Sequence, residues 1–131
     1  MVGGTLEVFK LWFIALCFAA VMLTTQAAAT ENPREAGARY GQARGAAEVC
    51  PGVSVGKPAD ALKAQFRGSD LDNFNAQAAN VYASWRKIKD CVLPTDPNPC
   101  RIMIQLSCQS ALAEIGPSGS ARAHLLEVLP R

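Results

Sequence analysis

From about residue 33 onward, apolar positions recur at helical spacing, framed by helix caps and breakers. In residues 33–49, Ala36, Tyr40, Ala43, Ala47 and Cys50 form one seam at alternating spacings of four and three. Pro33 suits a first helical position with Asn32 as its cap, and Pro51-Gly52 ends the stretch. Residues 51–57 read as a loop or short extended piece. A short second helix is expected from Pro58 to Arg67, offering Leu62 and Phe66, with Gly68 as its stop. The third pattern is the clearest. Ser69 and Asp72 have the spacing of a capping box, and Leu71, Phe74, Ala78, Val81, Tyr82, Trp85 and Ile88 then make one stripe running to Cys91.

Two prolines in 92–98 stop that helix, and Asn98-Pro99 repeats the cap-and-proline device of Asn32-Pro33. From about 100 to 115, Met103, Ile104, Ser107, Cys108, Ala111, Leu112 and Ile115 share one face, while Ile102 and Leu106 add a second apolar strip. A helix apolar on two sides is expected at the centre of the fold, contacted from both. Gly116-Pro117 closes it, and a last short helix is expected over 120–129, burying Leu125 and Leu129. No segment alternates with period two for long enough to predict a strand. The expected fold is all-α: one domain, residues 30–131, a small disulfide-stapled bundle of four to five short helices.

The first 29 residues are different. Lys10 precedes an uncharged run from Leu11 to Thr25, and Ala27-Ala28-Ala29 then matches an A-x-A cleavage site before Thr30. Fifteen uncharged residues span about 22 Å as a helix, short of a hydrocarbon core of roughly 30 Å. A cleaved secretory signal is the expectation; an uncleaved anchor is the alternative. A lipid-anchored reading of Cys17 fails on its neighbours, because Leu16 is large and the apolar run continues past it.

Composition then sets the scale of the core. The segment 1–29 holds 21 apolar residues, and only 24 large apolar side chains remain for the rest of the chain. A core that thin is usually stapled. The whole chain carries a formal charge of +2. Length and charge together exclude a multidomain enzyme, a polytopic membrane protein and a strongly basic nucleic-acid binder.

Cleavage before Thr30 leaves Cys50, Cys91, Cys100 and Cys108. Their gaps of 41, 9 and 8 contain no C-x-x-C, which argues against zinc, thioredoxin-like redox chemistry and c-type haem. Two disulfides are the natural reading for an exported domain. Cys100 and Cys108 lie on one expected helix about 12 Å apart, beyond the reach of about 7 Å that a disulfide tolerates. Of the two remaining pairings, Cys91–Cys100 closes the proline-rich hairpin at the ends of antiparallel neighbours. Cys91–Cys108 would slide one helix by about two turns. The expected bridges are therefore Cys91–Cys100 and Cys50–Cys108.

Gly37, Gly41 and Gly45 stand four apart on the first helix. The pattern fits a groove for close helix packing within the chain or for a partner, or a loose, fraying helix. Arg34, Glu35, Arg39, Arg44 and Glu48 interrupt it, so a membrane role is excluded. His124 is the chain's one histidine, and its neighbour Glu127 reads as a solvated companion. Arg86, Lys87 and Lys89 read as a solvated face, with Asp90 beside them. No catalytic, metal or cofactor-binding residue is expected. The functional expectation is an exported, non-enzymatic helical binding module, in the periplasm first and outside the cell second. Its partner would be a protein or small molecule, with no nucleic acid and, after cleavage, no membrane. An envelope component anchored by residues 1–29 and a small enzyme accessory using His124 with Glu127, or Glu48 near Cys50, are the alternatives.

Overall fold

The computed structural model describes residues 31–131; the expected signal segment and Cys17 lie outside the described residues. Four helices and two three-residue strands follow in the order α1 (Pro33–Val49), β1 (Val53–Val55), α2 (Lys57–Lys63), α3 (Gly68–Lys89), α4 (Asn98–Ile115) and β2 (Leu126–Val128). Among the described residues no helix is long and apolar enough to cross a membrane.

α1 starts as its sequence dictates. The Asn32 side chain accepts from the Arg34 amide at 3.0 Å, and Pro33 occupies the first turn, where a missing N–H costs nothing. This helix is the spine of the fold, touching α3 along its length and also β1, α2 and α4. Its small residues allow that. Ala36, Ala43 and Ala46 are fully buried, and α3 sets Phe74, Ala78 and Trp85 against them. Tyr40 and Phe66 flank Phe74, each with ring centroids 5.3 Å from it, and Leu62 on α2 completes this end of the core.

Local signals held unevenly. α2 ends at Lys63, earlier than Arg67, because Gln65 and Phe66 donate to the Leu62 and Lys63 carbonyls and tighten the chain into turns. Gly68, expected as a stop, is the first residue of α3, at φ 57°, a left-handed conformation that glycine adopts freely. Ser69 does not cap this helix. Arg67 occupies the N-cap position without a side-chain cap, and its guanidinium folds back onto the Ala64 and Phe66 carbonyls at 2.9 and 2.8 Å. At α4 the N-cap position falls on Pro97, which offers no side-chain cap; Asp96 before it accepts from the Asn98 amide at 2.9 Å, and the Asn98 side chain accepts from Arg101.

Two larger expectations are overturned as well. The C-terminal segment is not a helix: Leu126–Val128 pairs antiparallel with Val53–Val55 in the register Val53–Val128, Ser54–Glu127 and Val55–Leu126. Five amides in residues 119–124 are tied to carbonyls at the end of α4 and to Gly116, which holds the segment in turns. His124 then takes φ 65°, reversing the chain so that both Leu125 and Leu126 are buried, while Leu129 is 49% exposed. Nor is α4 central. It packs on α1 and lightly on α3 through Cys100, Ala111 and Ile115, and its far side faces solvent.

Candidate functional site

The glycine seam is filled from within the chain. A Cβ on Gly37 or Gly41 would overlap the backbone of Phe74 or Ala78, and one on Gly45 would enter the Trp85 side chain. α3 therefore lies against α1 backbone to backbone. Bonds join Cys50 to Cys108 and Cys91 to Cys100, with Cα separations of 5.7 and 5.8 Å. The first ties the end of α1 to the middle of α4. The second closes the hairpin between α3 and α4.

Around this frame the polar groups form small clusters. Glu114 on α4 receives Arg39 Nη1 at 2.7 Å, Gln42 Nε2 at 2.8 Å and Ser110 Oγ at 3.2 Å. The hydrogen bond from Gln42 is the main cause holding its carboxyl below the ordinary 4.5, with Ser110 and Arg39 assisting against partial burial. Glu48 is likewise lowered, first by the Tyr82 hydroxyl and then by Lys89, 3.0 Å away. Arg44 lies 5.7 Å from the Tyr82 ring centroid and 6.0 Å from that of Tyr40, and Lys63 lies 5.9 Å from the latter. His124 Nδ1 sits 3.0 Å from Glu127, both largely exposed. Arg86, Lys87 and Lys89 are exposed, and Lys89 is paired with Glu48. Among the described residues no three histidine, cysteine or acidic side chains are placed to hold a metal ion.

The outstanding surface is the outer side of α4. At 100° per residue, Ile102 and Leu106 point away from the buried Cys100, Ala111 and Ile115. They are 52% and 60% exposed, and Met103 beside them is 38% exposed. Arg101 and Glu114 are the only charged residues in the eighteen of this helix. Val92 and Leu93, 79% and 45% exposed, stand in the hairpin at its N-terminal end. The sequence marks this strip but assigns it to the core. The missed signal is one of supply: α1 is built largely of alanine and glycine, and α2 is short, so no element among the described residues remains to cover a second face.

Along another edge of α4 runs an open groove of about 660 Å³, floored by Val53, Ile104, Leu112 and the Cys50–Cys108 bridge. Arg101 and Arg131 reach it from positions thirty residues apart, which no local motif announces. Comparison with known protein families, with curated proteins and with solved structures finds no match.

Proposed function

We propose that this protein is an exported, non-enzymatic helical module that binds a partner protein through the outer face of α4. One observation carries the reading: a helix apolar on both sides is covered on one only, leaving Ile102, Met103 and Leu106 in solvent. Contiguous exposed apolar side chains on a small domain mark interaction surfaces, because leaving them wet costs about 25 cal/mol per Å². Export rests on the Leu11–Thr25 run with Ala27-Ala28-Ala29 and on two disulfides, which persist in oxidising compartments such as the periplasm.

A photo-crosslinking residue placed at position 106, and separately at exposed position 76 on α3, tests the binding face in the native host. A product formed at 106, absent at 76 and lost in Ile102→Asp, is expected. Equal products at both positions, or a product at 106 that survives Ile102→Asp, would refute this surface. The intact mass of the native protein tests export, and should begin at Thr30. A mass retaining residues 1–29 would favour the anchored envelope component instead.

A further inference from the structure

We propose that the groove beside α4 is a second, separate binding site, for an amphiphile with one anionic head and an unbranched apolar tail. Its volume of about 660 Å³ lies within the range of small-molecule sites, roughly 300–1,000 Å³. Its composition has the matching division of labour. Val53, Ile104, Leu112 and the Cys50–Cys108 bridge give it apolar lining, Gln105 and Gln109 give it a neutral polar edge, and the charged side chains that line it are of one sign. Arg101 and Arg131 both line it, no acidic side chain does among the described residues, and neither arginine belongs to an ion pair among them.

A guanidinium carries five donors in a planar fork that matches a carboxylate or phosphate, so unpaired arginines beside an apolar floor select an anion with a tail. Arg101 is pre-set for this. One of its terminal nitrogens donates to Asn98 Oδ1 at 2.9 Å, which fixes the fork at the N-terminal end of α4 while leaving its other donors free for a ligand. From Arg101 to Leu112 the helix rises about 16 Å at 1.5 Å per residue, the reach of an extended chain of roughly a dozen carbons. The head then sits at Arg101 and the tail lies along Ile104 toward Leu112, with Arg131 as a second cationic side chain lining the same groove. A fatty acid and a phosphate-headed lipid share this chemistry.

The test uses the oxidised protein as isolated from its host, with sodium dodecanoate and dodecyl phosphate as probes, each below its micelle concentration. Dodecyl maltoside serves as the neutral control and acetate as the tail-less one. Calorimetry gives the affinity, and methyl NMR gives the place. At least one anionic probe should bind about tenfold more tightly than the maltoside and shift the methyls of Val53, Ile104 and Leu112. The tighter of the two names the head group. Arg101→Gln and Arg131→Gln, both at exposed positions, should each weaken binding about tenfold with unchanged melting. Equal affinity for the neutral probe, no shift at those methyls, or shifts centred on Ile102 and Leu106 would overturn the proposal. Leu106→Asp should leave this binding intact, which separates the fate of this site from that of the α4 outer face.

Discussion

Replacing Gly41 by alanine should destabilise the fold, although helix propensity alone argues the reverse. Propensity favours alanine by about 1 kcal/mol inside a helix. The structure opposes it: the added Cβ would overlap the Ala78 carbonyl oxygen and lie 3.0 Å from the Ala78 Cα. Those are backbone atoms of α3 and cannot swing aside as a flexible side chain would. Restoring van der Waals distance requires the two helices to separate by about 1 Å, which forfeits a quarter to a half of each close contact along the seam. The contacts at stake include Ala36, Ala43, Phe74, Ala78 and Trp85, all buried. Overpacking of this kind costs about 1–3 kcal/mol, occasionally more. Because the overlap is with backbone atoms, the cost sits at the upper end of that range, and after the propensity gain of about 1 kcal/mol the net loss is about 1–2 kcal/mol, or a Tm lower by roughly 4–15 °C for a domain near 100 residues. Thermal unfolding followed by circular dichroism measures it on the oxidised protein. A Tm equal to or above the parent's would refute the packing argument and return the glycines to a loose first helix.

Three other outcomes follow from the same structure. Removing Cys50–Cys108 by paired serine substitution should cost about 4 kcal/mol and removing Cys91–Cys100 about 2.7, since the longer loop restrains the unfolded chain more; urea titration showing the reverse order would contradict this. Leu126→Ala should cost about 2–5 kcal/mol as a fully buried leucine, and Leu129→Ala, at 49% exposure, well under half of that; equal losses would restore a C-terminal helix. Glu114 titrates below its ordinary 4.5 in the folded state, so its contribution is present above 4.5 and lost as the pH falls through the lowered value. Glu114→Gln should therefore flatten the fall in Tm between neutral pH and acid, and an unchanged pH profile would count against the Arg39–Gln42–Ser110 cluster.

What the sequence discloses depends on how local each cause is. The α1 seam and the α3 stripe are legible because each helix buries one side and repeats its apolar residues every three or four positions. Asn32 and Pro33 act within one turn, so that cap is legible as well. The C-terminal segment is not. Leu125, Leu126, Val128 and Leu129 suit a helix, and a three-residue strand is too short to display alternation; its partner lies some seventy residues earlier, in β1. For α4 the apolar strips are visible, but which of them is covered depends on where α1 passes. At the candidate site, Ile102 and Leu106 are identifiable as apolar without being identifiable as exposed, and that Arg101 and Arg131 line one groove is purely tertiary.

The bridges are nested, with the Cys91–Cys100 loop inside the Cys50–Cys108 loop, and this has a consequence for biogenesis. A chain entering an oxidising compartment from its N-terminus presents Cys50 first and Cys91 second, and an oxidase acting on them in that order makes a bridge the fold does not contain. Correct pairing waits for Cys100 to capture Cys91, which leaves Cys50 unpaired until Cys108 arrives. On the proposed export route, the yield of native protein is set by competition between the rate of chain entry and the rate of oxidation. A thiol–disulfide isomerase becomes necessary when oxidation is the faster.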